Sequence, residues 1–359
     1  MREAYESTIN TARRGSSRLQ VASLYPSISL WVHSPVLPAG VWCPAVTLFD
    51  PKTDKVDFEN QARYFHYLST TGLAGLVVLG TSAEAMLLTR EEHKALTATA
   101  RRAVGLRFPS WRVWGCTAPH RRWSSYLTPL RLQPTPSSFW LAVTLPGLKG
   151  GATTPQVLDS FYGQAAARSE LPIVIYNFPG VCNGVDLSSD FIEAMAKRHS
   201  NAVGVKLTCG SVAKTTRLAA AQPKEKFAVF GGQADFIVGG LSSGSSGCIA
   251  AFANVAPRCI VRINELYHQS KHAEALALHQ KTALAEHAIK GGIAPTKYAA
   301  AIHSAAYAGI QDAPAKMAPH RPYVAPATAV RDMVKSKTAE VGRIEQSLPL
   351  INRPISPRI

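Results

Sequence analysis

Acidic residues are scarce in this sequence, which has 23 Asp and Glu against 39 Lys and Arg and a net charge of +16. The excess is confined to residues 1–38 with +2, residues 93–158 with +9 and residues 316–359 with +5, so the remainder is neutral overall. A nucleic-acid-binding protein carries its basic patch on the folded domain, whereas the segments with the clearest folding pattern here are neutral. We therefore predict no nucleic-acid partner.

Long apolar runs and cysteine pairs are also missing. No apolar run approaches the about 20 residues that cross a bilayer, which predicts that the protein does not enter a membrane. The six cysteines are scattered, without a CxxC pair or a histidine cluster at metal-ligand spacing. This pattern predicts a reduced compartment and no bound metal.

Residues 1–38 are rich in Ser, Arg and Pro and show no clear periodicity. This composition is typical of a mitochondrial transit peptide, and a disordered tail or a mis-assigned start has the same composition. We predict a cytoplasmic protein, with mitochondrial import as the alternative that this extension supports.

From residue 39 onward, short apolar segments alternate with amphipathic ones. "LAGLVVLG", "LPIVIYNFPG" and "NAVGVKLT" are typical of strands, and "TREEHKALTATARRAVG" is typical of a helix that begins at Thr89 with a capping box to Glu92. Single helices between short strands predict a parallel sheet. Eight such units in about 250 residues predict an α/β fold, the (β/α)8 TIM barrel. We place the barrel at 39–270 and a C-terminal helical region and tail at 271–359, with extra helices broken at "GGIAP".

Residues 106–148 do not follow this pattern, although they should supply the third and fourth βα units. They have no helical period, lie in an acid-free stretch and carry four of the six Trp. Reading "WRVWG" one base earlier permits "MAGVG", a good buried strand, so we hypothesise a frameshift or mis-spliced exon, with a genuine insertion as the alternative. If the protein is made as written, we expect a barrel without proper third and fourth units, which cannot close.

Lys206 lies in the middle of the apolar strand "VGVKLT", although lysine is seldom buried. Alternation puts both valines, 203 and 205, and Leu207 on one face and Lys206 on the other, which we assign to the barrel interior. An unpaired ammonium there is costly, and a neutral amine is a nucleophile that forms a Schiff base with a ketone. The alternative is a lysine whose ammonium group extends past the open end of the barrel into solvent.

The strand before Lys206 ends in "YNFPG", which carries Tyr176. On its strand Tyr176 shares a face with Val174, so it should project inward beside Lys206. A phenol within reach of a Schiff base shuttles protons. The alternative is a core tyrosine with a satisfied hydroxyl.

Two glycine-containing turns end other strands. In "GTSAEA", Gly80 permits a tight turn, and Thr81 and Ser82 offer backbone N–H groups and hydroxyls that suit a carboxylate. "GGQAD" (231–235) is a similar exit from the seventh strand. Taken singly, each is also an ordinary strand-to-helix turn.

In this order, each at the end of its own strand, "GTSAEAMLLTREEH", "YNFPG", "VGVKLT" and "FGGQADF" resemble the dihydrodipicolinate synthase / N-acetylneuraminate lyase family of pyruvate-type class I aldolases, fungal members most closely. The resemblance covers about 39–105 and 150–323, including "RPY". It implies that Lys206 forms the Schiff base and that Tyr176 relays protons. It also implies that the Thr81–Ser82 pair binds the carboxylate of a 2-oxo acid.

The resemblance has further implications for the site and its partners. Gly231 is expected near the ligand, and the backbone carbonyl of Ile249 is expected to line the pocket. No metal or organic cofactor is implied, because the lysine itself serves as the electron sink. The expected partner is a small-molecule 2-oxo acid, and the expected assembly is a homo-oligomer, either a dimer or a tetramer.

Two departures from the family pattern bear on the reaction. In the synthase, an arginine after the "PG" of the tyrosine motif holds the carboxylate of the second substrate, whereas this chain has Val181 and Cys182. This favours an aldolase that cleaves 4-hydroxy-2-oxoglutarate or a 2-keto-3-deoxy sugar acid to pyruvate and an aldehyde. The synthase is the alternative, and an inactive barrel that only binds 2-oxo acids is the third. The second departure is "TLPGLKGG" (144–151), which lacks the tyrosine that in many members reaches a neighbouring subunit's site.

Overall fold

Short apolar segments form eight parallel strands that close into a barrel. The computed structural model describes residues 36–105, 108–115, 141–144, 154–169 and 171–350. The strands are β1 Gly40–Pro44, β2 Gly75–Val78, β3 Ser110–Gly115, β4 Leu141–Thr144, β5 Ile173–Asn177, β6 Ala202–Leu207, β7 Ala228–Gly231 and β8 Gly247–Ile249. They follow chain order around the barrel, and β8 pairs with β1. The predicted α/β barrel is therefore confirmed.

Helices follow the strands on the outside and continue past the barrel. They are α1 Phe58–Ser69, α2 Arg90–Val104, α3 Pro155–Arg168, α4 Ser189–Arg198, α5 Val212–Ala221, α6 Ile237–Ser242, α7 Pro257–His268, α8 His272–His287, α9 Ile293–Ile302, α10 Ser304–Tyr307, α11 Ala313–Lys316 and α12 Thr328–Ser347. The predicted break at "GGIAP" separates α8 from α9. The sequence did not indicate α12 as a separate helix.

Side-chain caps define where several of these helices begin. Thr89 and Glu92 form the predicted capping box, in which the Thr89 hydroxyl accepts from the Glu92 N–H and the Glu92 carboxylate accepts from the Thr89 N–H. The hydroxyls of Thr154, Ser188 and Ser211 cap α3, α4 and α5 by accepting from the N–H three residues on, without the reciprocal carboxylate contact. Each cap contributes about 1 kcal/mol, and each helix start is therefore encoded locally.

The third and fourth barrel positions are occupied by β3 and β4. β3 pairs with β2 and β4, and β4 pairs in turn with β5. The expectation that a chain made as written cannot close its barrel is therefore wrong. Parallel ladders are made by backbone groups, and "SWRVWG" and "LAVT" contain enough aromatic and β-branched residues to suit strands. The predicted anomaly between them, residues 116–140, lies outside the described residues, as do residues 145–153.

The strands separate an interior layer from an exterior one. Inside the barrel, one buried cluster contains Trp42, Val77, Val174, Val203, Phe230 and Ile249. Val205 and Leu207 belong instead to a cluster with α3 and α4. Simple alternation predicts that Val203 and Val205 share a face, and this prediction is wrong. The β5–β6 pairing shifts register between Ile173 and Val174, and such a bulge adds one residue to β6.

The C-terminal helices pack on the outside of the barrel. Val334 and Val341 of α12 share the largest buried cluster with Ile260 of α7 and Val41 of β1. Among the helices that the structure describes, none is long and apolar enough to cross a membrane. The domain boundaries at residues 38 and 270 remain predictions.

Candidate active site

Lys206 lies inside the barrel beside Tyr176. The two residues are register partners on β6 and β5. Lys206 is 7% exposed and Tyr176 is 4% exposed, and the lysine Nζ lies 4.1 Å from the centroid of the tyrosine ring. A cation above an aromatic face is attracted to it. The structure thus brings the two predicted residues together, while their catalytic roles remain predictions.

The residues around Lys206 explain its inward position. Val205 and Leu207, on either side of it, are buried among the helices outside the barrel. This packing turns Lys206 toward the interior, because alternate residues of a strand face opposite ways. On the other side, its register partner on β7 is Phe230, which is buried in the interior cluster. Lys206 therefore has an aromatic register partner on each neighbouring strand.

Trp42 fills the barrel interior between β2 and β8. Its indole N–H donates to the Pro38 carbonyl at 3.0 Å, before β1 begins. Gly75 faces it, and a Cβ at this glycine would lie 2.2 Å from the indole ring. Ile249 is the register partner of Trp42 on β8, and its predicted carbonyl contact remains a prediction. A filled amino end leaves the carboxyl ends of the strands as the side that receives a ligand.

Gly80, Thr81 and Ser82 follow β2 at that carboxyl end. A short 3-10 turn spans Thr81–Ala83, and Thr81 and Ser82 are half-buried. The Ala83 N–H donates to Gly80 at 3.0 Å, whereas the N–H groups of Thr81 and Ser82 begin the turn. First-turn N–H groups have no partner within their own helix. The turn therefore has the form that a carboxylate site requires, and the contact itself remains a prediction.

Glu84, directly after this turn, is a residue that the sequence did not single out. Its side chain is fully buried. Oε1 accepts from the Lys297 Nζ at 2.6 Å, and Oε2 accepts from the His320 backbone N–H at 2.7 Å. Burial lowers the pKa of Lys297 to about 8, although the carboxylate of Glu84 acts in the opposite direction. The acidic residue is visible in "GTSAEA", but a partner 213 residues away gives no sequence signal.

Gly231 ends β7 opposite Leu207. A Cβ on Gly231 would lie 2.8 Å from the ring of Phe236. The packing of that ring therefore accounts for a glycine here, and only the Gly231 backbone is free to face the site. Its predicted place near the ligand remains a prediction.

The "GGQAD" turn that follows Gly231 is held by α8. The Ala234 N–H donates to Glu286 Oε1 at 3.2 Å, and His279 Nε2 donates to the Ala234 carbonyl at 3.1 Å. Burial raises the pKa of Glu286 to about 8 and lowers the pKa of His279. Two turns at the carboxyl ends of strands are thus anchored by buried side chains of the C-terminal helices.

Thr208, two residues after Lys206, was also missed by sequence reasoning. Within the part of the chain that the structure describes, its hydroxyl is buried and has no hydrogen-bond partner. Gly232 allows the close approach, because a Cβ there would lie 2.0 Å from the Thr208 Oγ1. A buried hydroxyl without a partner is unfavourable. Its contact with a polar group of a ligand beside Lys206 is a prediction.

The buried thiols of Cys43 and Cys248 are poor nucleophiles. Burial raises the pKa of Cys43 and of Cys248 well above the ordinary value. The thiolate is the reactive form of cysteine, so both side chains are neutral thiols. Over the described ranges, no group of three His, Cys, Asp or Glu could hold a metal ion.

Comparisons with known sequences agree with this geometry. The model of the Dihydrodipicolinate synthetase family matches residues 37–120 and 151–333. A Coccidioides immitis (strain RS) protein, provisionally named a mitochondrial 4-hydroxy-2-oxoglutarate aldolase, is 52% identical over 309 residues, which cover 86% of this chain and 97% of that protein. The L-threo-3-deoxy-hexylosonate aldolase of Hypocrea jecorina is 34% identical over 276 residues, 74% of this chain and 86% of that protein.

Solved structures show the same architecture. A Coccidioides immitis protein provisionally placed in the dihydrodipicolinate synthase family superposes with a TM-score of 0.80 at 50% identity, over 88% of this chain and 99% of that one. The Thermotoga maritima dihydrodipicolinate synthase gives a TM-score of 0.72 at 22% identity, over 85% and 99%, which shows the shared fold. With its buried lysine and tyrosine in a (β/α)8 barrel and a family match on both sides of residues 121–150, the chain belongs to the dihydrodipicolinate synthetase family.

Proposed function

We propose that this protein is a Schiff-base aldolase, a carbon–carbon lyase. Its substrate would be 4-hydroxy-2-oxoglutarate or a 2-keto-3-deoxy sugar acid, cleaved to pyruvate and an aldehyde. The observation that carries the proposal is the buried contact of the Lys206 Nζ with the Tyr176 ring, 4.1 Å apart. The names of the fungal relatives, 52% and 34% identical, support both substrate classes.

Covalent capture of the substrate comes first. The Lys206 amine attacks C2 of the 2-oxo acid in its deprotonated form, and the resulting carbinolamine loses water to form a protonated imine. One amine proton and the Tyr176 phenol proton leave with the carbonyl oxygen as water, so the tyrosine becomes a phenolate that can accept the next proton. The N–H groups and hydroxyls of Thr81 and Ser82 hold the substrate carboxylate at the carboxyl end of β2.

Cleavage follows from the electron demand of the imine. The C4 hydroxyl gives its proton to the tyrosine relay, the C3–C4 bond breaks, and C4 leaves as an aldehyde. The electron pair of that bond moves into the imine and leaves an enamine. Protonation at C3 and addition of one water release pyruvate and regenerate Lys206, so the water lost in the first step is regained.

Dihydrodipicolinate synthase itself is the second candidate. At the positions where the synthase pattern has an arginine, this chain has Val181, which is 41% exposed at the end of a short 3-10 turn, and the buried Cys182. Neither side chain forms the bidentate pair by which arginine holds a carboxylate. The substitution therefore favours cleavage of a hydroxylated 2-oxo acid over condensation with the second substrate of the synthase.

An inactive barrel that only binds 2-oxo acids is the third candidate. The family match leaves residues 121–150 uncovered, which supports the frameshift hypothesis for that part of 106–148, but it includes residues 106–120, which does not. Sequencing of the transcript tests it, and a read that encodes the segment as written would contradict the hypothesis. The closed barrel supports activity of the chain as it stands.

Borohydride trapping tests the proposed mechanism. The protein is incubated with pyruvate and borohydride, and peptides are analysed by mass spectrometry for a reduced adduct on Lys206. The adduct should persist in Lys226→Ala, an exposed lysine near β7, and vanish in Lys206→Ala. Absence of the adduct from the wild type, or its survival in Lys206→Ala, would remove the mechanism. Release of pyruvate and glyoxylate from 4-hydroxy-2-oxoglutarate then separates the lyase from the synthase.

The compartment and assembly form a further part of the proposal. Two curated relatives are described as mitochondrial, and we propose that residues 1–38 direct import. Fusion of residues 1–38 to a fluorescent protein tests this, and a cytosolic signal would contradict it. We also propose a homo-oligomer, a dimer or tetramer, which the molar mass from light scattering tests.

A further inference from the structure

A single buried carboxylate ties the Thr81–Ser82 turn to the C-terminal helices. Glu84 stands between two short 3-10 turns, Thr81–Ala83 and Ala85–Leu87. Its backbone is left-handed, with φ 56° and ψ 31°. Residues other than glycine adopt this conformation only where the surrounding structure enforces it. The contacts of the Glu84 side chain therefore bear directly on the shape of the turn.

Lys297 supplies the main contact of this carboxylate. It lies on α9 with a fully buried side chain, and its Nζ donates to Glu84 Oε1 at 2.6 Å. The same Nζ lies 4.5 Å from the ring centroid of Phe49. A buried ammonium among such neighbours is tolerated only when it is paired. Glu84 and Lys297 therefore act as one unit, in which each requires the other.

The same turn is held at two more points. The His320 backbone N–H donates to Glu84 Oε2 at 2.7 Å, so both carboxylate oxygens are used. The Thr47 hydroxyl donates to the Ala83 carbonyl at 2.8 Å. The inner end of the turn is thus fixed from the loop after β1 and from the C-terminal segment, while Thr81 and Ser82 remain half-buried at the rim of the barrel.

We propose that Glu84 and Lys297 are positioning residues for the 2-oxo acid: the ion pair fixes the Thr81–Ser82 turn in the orientation that meets the substrate carboxylate. This inference rests on the proposed function. Neither residue touches the substrate, and the lysine belongs to a helix outside the barrel. The C-terminal helices therefore contribute to substrate affinity, in addition to packing against the barrel.

Pyruvate titration of the borohydride trap measures this role. Lys297→Met removes the amine and keeps an apolar stem of similar length. The pyruvate concentration for half-maximal labelling of Lys206 should rise at least about tenfold, because small displacements of binding groups have large effects. Labelling at saturating pyruvate should stay within about twofold of the wild type, because the reacting residues are untouched.

Glu84→Gln provides a second test with nearly unchanged volume. It keeps an acceptor for the His320 N–H but leaves Lys297 without its carboxylate, so the same rise in half-saturation is expected. The double variant should be no worse than the weaker-binding single variant, because paired residues are not additive. If Lys297→Met does not fold, Glu84→Gln decides the question.

Lys281→Met is the matched control, since Lys281 forms an exposed ion pair with Glu340 at 2.9 Å in the same helical region. It should keep the wild-type half-saturation. Unchanged half-saturation in both Glu84→Gln and Lys297→Met would overturn the proposal. So would a loss of maximal labelling, at constant half-saturation, that merely follows the loss of folded protein in thermal melts. A wild type that is not labelled at all would instead refute the proposed function on which the inference rests.

Discussion

The Lys206 amine faces the ring of Tyr176 across adjoining strands, with its Nζ 4.1 Å from the ring centroid. The contributions of the tyrosine ring and of its hydroxyl can therefore be tested separately. The ring makes the attractive contact with the amine, whereas the hydroxyl is the group proposed to move protons. A substitution that removes one and keeps the other distinguishes packing from proton transfer.

Tyr176→Phe makes that separation. It keeps the ring beside Lys206 and removes the phenol, so the kcat of cleavage should fall by about 10²–10⁴, the usual contribution of a positioned general acid–base. The pyruvate concentration for half-maximal borohydride labelling should change little. Steady-state pyruvate release, with the labelling titration as control, measures both. A kcat close to wild type would show that Tyr176 is not the relay.

A substitution of Thr208 can distinguish whether its hydroxyl binds the ligand or stabilises the fold. Thr208→Val is nearly isosteric and removes a buried hydroxyl without a partner in the described structure, so the melting temperature should not fall. The KM for the hydroxylated 2-oxo acid should rise about fivefold or more, as for one lost hydrogen bond, while pyruvate labelling stays normal. Lower stability with an unchanged KM would assign the hydroxyl to the fold instead.

The features of this protein that its sequence predicts are those encoded by neighbouring residues along the chain. Apolar strands and capping residues predict the barrel, and strand ends predict that Lys206 and Tyr176 meet inside it. Alternation misplaces Val203, because the bulge arises from pairing with β5. Glu84 is visible in its motif, but its partner Lys297 is 213 residues away. Contacts made by tertiary packing alone therefore leave no pattern in the chain.

The attachment of α12 to the barrel depends on Glu345. Its fully buried carboxylate accepts from the Arg258 Nε and backbone N–H, both at 3.0 Å, and from the Cys259 N–H at 2.8 Å. Glu345→Ala leaves the Arg258 guanidinium without its carboxylate, with the Leu348 carbonyl as an acceptor, and removes the acceptor at the start of α7, so the free energy of unfolding should fall by about 3–5 kcal/mol. Urea unfolding measures it, with Glu340→Ala as control.

Glu340 lies on the same helix in an exposed ion pair with Lys281, and exposed pairs contribute little to stability. Its substitution should leave the urea midpoint unchanged. Equal midpoints for Glu345→Ala and Glu340→Ala would show that the buried pair does not hold α12.

Glu286 makes the stability depend on pH between about 4.3 and 8. Burial raises its pKa to about 8, against about 4.3 in an unfolded chain. Between these values the folded protein keeps a proton that the unfolded chain gives up, so stability from this group falls as pH rises toward 8. Burial lowers the pKa of His279. This group therefore reduces the stability only when the pH falls below about 6.5, where the unfolded chain binds a proton that the folded protein does not. Lys297, with a pKa of about 8, contributes increasing stability only as pH rises above that value.

Glu286→Gln isolates this effect between pH 7 and pH 8. Glutamine keeps the acceptor for the Ala234 N–H and does not titrate. The free energy of unfolding of the wild type, relative to that of Glu286→Gln, should therefore fall by about 1 kcal/mol across this interval. Glu274→Gln, at an exposed carboxylate near the start of α8, should follow the wild-type pH dependence. Urea unfolding at both pH values measures the difference, and parallel curves for wild type and Glu286→Gln would show that Glu286 is already ionised in the folded protein at pH 7.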